Sequence, residues 1–131
     1  MSRLWIKVCG LRTADTLAAA VDAGADAVGF VFHAASPRHL AVAEARALVA
    51  DVPRGIEKVA VFLHPAQAEI DAAIDAVSPD WVQTDVADLA ALRLPMSALC
   101  AGLGMAAIIA AQPASAQVMT YGGWGSPPPP W

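Results

Sequence analysis

A chain of 131 residues, 57% hydrophobic and 15% charged, is long enough to bury one core and too apolar to be disordered throughout. Its net charge of −4 and pI of about 5.1 argue against a sequence-independent grip on nucleic acid, and two cysteines, Cys9 and Cys100, cannot build a disulfide framework. The start, Met1 to Lys7, lacks the apolar stretch of a secretion signal, so a reducing, cytoplasmic setting is the expectation.

Leu4 to Val8 is a short apolar run broken by Cys9-Gly10 and predicts a strand. Thr13 is placed to cap a helix, with Asp15 in its first turn, Leu17, Ala20 and Val21 on one face, and Gly24 as the stop. Asp26 to Phe32 reads as a second strand, apolar enough to be covered on both faces. A loop from His33 to His39 precedes a helix over Val42–Ala50, and Glu57 to Leu63 forms a third strand. Pro65 suits the first turn of a third helix, whose Ile70, Ala73, Ile74 and Val77 recur at helical spacing before Ser78-Pro79. Asp80 to Thr84 is a fourth strand, and Val86 to Leu92 a short fourth helix. Strand and helix alternate four times, the signature of a parallel sheet built from βαβ units. No Gly-rich dinucleotide loop follows the first strand.

The charges divide the chain in two. All 8 Lys and Arg and all 12 Asp and Glu lie between Arg3 and Arg93, and residues 94–131 carry none. The expected organisation is a parallel βα unit over residues 1–93 and an uncharged Ala/Gly/Pro-rich tail over 94–131, its proline-rich end disordered. That tail reads as a shifted reading frame of a GC-rich gene, as a short fifth strand with an apolar helix, or, over Leu94–Ala111, as a membrane segment at the lower length limit.

In parallel α/β sheets, functional groups gather at the carboxyl ends of strands. Spacing brings three candidates there: Cys9 after strand one, Arg38 in the Ser36-Pro37-Arg38 loop after strand two, and Gln83 at strand four. Lys7 shares a strand face with Cys9 and is costly inside a barrel unless paired. Each has a plainer reading. Cys9 could be a small buried hydrophobe, Arg38 a solvated loop residue, Gln83 a backbone partner and Lys7 a snorkelling side chain. His33, His39 and His64 have no metal-ligand spacing, so no metal site is expected.

Ile6-Lys7-Val8-Cys9-Gly10-Leu11-Arg12, Ala23 to Phe32, and Ser36-Pro37-Arg38 together resemble the phosphoribosylanthranilate isomerase family. Val59-Ala60-Val61-Phe62 and Trp81-Val82-Gln83-Thr84-Asp85 continue the likeness in order, over residues 3 to 95. The resemblance implies the first four βα units of a (β/α)8 TIM-type barrel, incomplete, and an enzyme of tryptophan biosynthesis that uses no metal or cofactor. It implies an Amadori rearrangement of the phosphosugar N-(5′-phosphoribosyl)anthranilate to 1-(2-carboxyphenylamino)-1-deoxyribulose 5-phosphate. By the same resemblance Cys9 is the base that removes the C2′ proton, with a cation such as Lys7 favouring its thiolate. Arg38 then forks the anthranilate carboxylate, and Gln83 lines the substrate.

Two departures temper that reading. Many members carry Leu-His after the Gln where Thr84-Asp85 stands here, which leaves the role of Asp85 open. The family's general-acid Asp and phosphate loops belong on later strands, whereas this chain has no carboxylate side chain after Asp88. A chain truncated or frame-shifted after strand four is therefore expected to be weakly active or inactive. The alternative is a non-catalytic half-barrel whose two unpaired edges drive assembly with itself or another chain. Neither nucleic acid nor membrane is expected as a partner.

Overall fold

The computed structural model describes residues 4–86 and 91–94, and the backbone of 117–120. Five strands form one parallel sheet in sequence order: β1 (Lys7–Cys9), β2 (Ala27–Val31), β3 (Glu57–Val61), β4 (Trp81–Thr84) and β5 (Gln117–Thr120). Three helices connect the first four: α1 (Ala14–Asp22), α2 (Val42–Val49) and α3 (Gln67–Val77). The register runs Cys9 to Gly29, Gly29 to Val59, and Val59 to Trp81.

Local chemistry sets the helix starts. At α1, the Thr13 hydroxyl accepts the Thr16 N–H while the Thr16 hydroxyl accepts the Thr13 N–H, each at 3.2 Å. At α2 and α3 the cap residues are alanines, and the carboxylates of Glu44 and Glu69 accept their N–H groups at 3.1 and 2.7 Å. Gly24, at φ +86, turns the chain after α1 in a conformation that costs glycine little.

Alternation along the strands separates two faces. Val28, Phe30, Ala60, Phe62 and Val82 point to the helices and pack in one buried cluster with Leu17, Leu48, Ile70 and Val77. Burial of a side chain such as Phe30 stabilises the fold by about 1.5–3 kcal/mol. The opposite face holds a smaller cluster of Ala27, Val59 and Val61, against which Cys9, Val31 and Trp81 pack.

Several elements differ from the sequence reading. β1 begins at Lys7, because the Ile6 N–H donates to the Asp26 carboxylate and its carbonyl accepts the N–H groups of Asp26 and Ala27. Leu4, Trp5 and Ile6 consequently stay outside the strand and exposed. Pro65 precedes the α3 cap instead of opening the helix, since Glu69 fixes the cap at Ala66. The expected helix over Val86–Leu92 falls mostly outside the described residues.

The outer edge of β4 is not open either. β5, from the uncharged stretch, pairs with it in parallel, so among the described residues the two edge strands of the sheet are β1 and β5. The segment Gln117–Thr120 has two apolar residues, Val118 and Met119, between polar ends, and is too short to show a strand period. No helix among the described residues is long and apolar enough to cross a membrane, and Leu94–Ala111 lies mostly outside them.

Candidate active site

The carboxyl ends of β1 to β4 open onto a cleft of about 320 Å³, within the range that holds small ligands. Cys9, Ser36, Arg38, Phe62 and Gln83 are among its walls. Two glycines let the first pair of functional groups approach. A Cβ on Gly29 would lie 2.7 Å from the Cys9 Sγ, so the thiol occupies space that any other residue in β2 would fill. A Cβ on Gly10 would lie 2.4 Å from the Arg38 Cδ, which places the Arg38 side chain across the turn that follows Cys9. Gly10 also sits at φ +83, a region open mainly to glycine.

The loop that carries Arg38 is tied down from within and from α1's approach. The Arg38 N–H donates to the Ser36 hydroxyl at 3.1 Å, and the His39 N–H to the Ser36 carbonyl at 3.0 Å. The Arg12 guanidinium donates to the Pro37 carbonyl at 3.2 Å. These bonds hold the loop while the Arg38 side chain itself stays exposed to a ligand.

Lys7 does not line the cleft; it reaches the site through Gln83, whose Oε1 accepts from its Nζ. The pairing offsets the cost of a cation on the inner face. Because an ammonium only donates, Gln83 must turn its carbonyl to Lys7, which leaves its NH2 as the donor available to the cleft. Gln83 is buried, so this bond also fixes its orientation.

Beyond Gln83, the Asp85 carboxylate accepts the His64 N–H at 2.7 Å and lies 2.6 Å from His64 Nδ1. Three of the four residues singled out from the sequence, Cys9, Arg38 and Gln83, thus meet in one cleft, and the fourth touches it through a hydrogen bond. Sequence reasoning missed Gly10 and Gly29 as shaping residues. A glycine in the middle of an apolar strand was the available signal for Gly29, since such a position marks a close approach.

A thiol, a guanidinium fork and a buried amide donor in one cleft suit proton removal from a small anionic ligand. The fold therefore places the chain with parallel βα proteins of the TIM-barrel class, with its polar groups at the carboxyl ends of the strands. Residues 6–90 match the sequence profile of N-(5′-phosphoribosyl)anthranilate isomerase, and the chain belongs to that family.

Relatives agree. The isomerase of Bordetella pertussis is 46% identical over 81 residues, covering 62% of this chain and 37% of its own. That of Rhodopseudomonas palustris is 50% identical over 78 residues, covering 60% and 37%. The chain thus spans well under half the length of these relatives. Among solved structures, the Thermotoga maritima enzyme aligns with a TM-score of 0.60 at 30% identity, over 63% of this chain and 40% of its own. An isomerase solved with reduced 1-(o-carboxyphenylamino)-1-deoxyribulose 5-phosphate gives the same score and identity, over 63% and 42%.

Proposed function

We propose that this cleft is the amino-terminal part of a phosphoribosylanthranilate isomerase site, in which Cys9 removes the C2′ proton of the ring-opened substrate. Arg38 forks the anthranilate carboxylate, Gln83 donates to the sugar, and Lys7 holds Gln83 in place. The rearrangement moves a proton and shifts a double bond, and on this reading it calls on neither metal nor cofactor. The observation that carries the reading is the convergence of Cys9 and Arg38 across Gly10, within the family's own motif.

Turnover by these 131 residues is expected to be slow, because no carboxylate side chain follows Asp88 and one missing general acid costs ~10²–10⁴ in rate. The test follows the fluorescence of the anthranilate conjugate with the full chain. Slow turnover that disappears in Cys9→Ala supports the reading, and a folded chain that binds and converts nothing overturns it.

A second reading is assembly, with the chain acting as a half-barrel that pairs with a copy of itself or with another chain. Leu4, Trp5 and Ile6, at 76%, 42% and 44% exposure, directly precede β1, an edge strand of the sheet among the described residues, and favour it. Sedimentation across a concentration series separates the two: a concentration-dependent dimer without turnover favours assembly.

A further inference from the structure

We propose that His33 is a second donor to the anthranilate carboxylate, working beside Arg38 from the same wall of the cleft. The role rests on the isomerase reading above. His33 lines the cleft with Cys9 and Arg38, and these three are its only titratable side chains among the described residues. Strand alternation accounts for the direction of the ring. Val31, at the end of β2, packs on the face that holds Cys9, while Phe32 turns into the buried cluster among the helices. The Phe32 N–H still donates to the Val61 carbonyl at 2.9 Å. The extended chain thus runs past Val31 and returns residue 33 to the face of Cys9.

One short loop carries both His33 and Arg38. The Ser36 N–H donates to the His33 carbonyl at 3.0 Å, and the Ser36 hydroxyl accepts the Arg38 N–H at 3.1 Å. Ser36 therefore ties the backbones of the two residues into one frame. From that frame the Arg38 side chain lies across Gly10, in the turn that follows Cys9. His33 is half-buried, and its imidazole has no hydrogen bond or ion pair among the described residues. A ring held in that way keeps a donor free for the ligand that fills the cleft.

The chemistry of that wall selects the ligand group. A carboxylate offers two oxygens with about four lone pairs, and a guanidinium fork takes two of them. A third donor from the same loop adds to the fork without displacing it. Gln83 stands on β4, two strands from β2, and its NH2 is left for the sugar. An imidazole carries at least one N–H in either protonation state, so the contact does not require a charged His33. His33 binds and orients; no proton passes through it, and the shortage of a general acid is unchanged.

Calorimetric titration of the full chain with two ligands tests the assignment. One is reduced 1-(o-carboxyphenylamino)-1-deoxyribulose 5-phosphate, and the other is the same compound without its carboxyl group. His33→Phe keeps a flat ring and removes both nitrogens. It should weaken the carboxylate ligand about tenfold or more, the scale of one hydrogen bond to a charged group, and leave the other ligand within about twofold. His33→Ala carries the same prediction, so neither ring volume nor misfolding can stand in for the lost donor. Affinity for the carboxylate ligand that survives either change, or an equal loss with both ligands, overturns the role of His33 while leaving the isomerase reading intact. A folded wild-type chain that binds neither ligand overturns the isomerase reading and the role of His33 together.

Discussion

The two faces of the sheet are built from the same strands and do different work. On the helix side, Val28, Phe30, Ala60 and Val82 are fully buried and none carries a polar side-chain atom. On the other side, Lys7, Cys9, Glu57, Trp81 and Gln83 alternate with them, and their polar atoms pair across strands: Lys7 with Gln83, and the Trp81 Nε1–H with Glu57 at 2.7 Å. Apolar packing dominates the first face and the second carries the polar groups of the proposed site, so substitutions on the two should separate in what they change.

Phe30→Ala should show the largest loss of stability, about 3–5 kcal/mol in urea unfolding, because it empties a fully buried site among the helices. An equal loss from Cys9→Ala, on the opposite face, would break the comparison. Gly29→Ala should cost less, about 1–3 kcal/mol, since the added methyl displaces the Cys9 thiol. Its turnover should nevertheless fall by about 10²-fold, the scale expected when a reacting group is misplaced by an ångström. Gly10→Ala should cost about 1–2 kcal/mol from the left-handed backbone. It should also raise KM, because the new Cβ meets the Arg38 side chain. Thr13→Ala is the smallest: about 1 kcal/mol from the lost α1 cap, measured by thermal melting, with turnover unchanged.

Much of this arrangement was legible in the chain. The alternation of apolar runs with helical spacing marked all of the first four strands and the three helices, because a sheet covered by helices needs continuous apolar strands. The K-x-C-G and S-P-R elements marked Cys9 and Arg38 before their proximity was known. What stayed hidden is long-range. Asp85 and His64 are 21 residues apart in sequence, and no local pattern announces a bond between the ends of neighbouring strands. The bond from Lys7 to Gln83 spans 76 residues and depends on how β1 and β4 face each other. β5 was legible only as one of three readings of the tail, since a four-residue strand carries too little periodicity to stand out.

The most direct test of the division between faces is the alkylation rate of Cys9, read by peptide mass so that Cys100 is scored separately, with and without reduced 1-(o-carboxyphenylamino)-1-deoxyribulose 5-phosphate. If Cys9 is the base in a cleft that Arg38 helps to close, the ligand should slow its modification at least fivefold, and Arg38→Ala should abolish the protection. Equal rates with and without saturating ligand would contradict the account, because the cleft would then not be where the substrate meets the thiol.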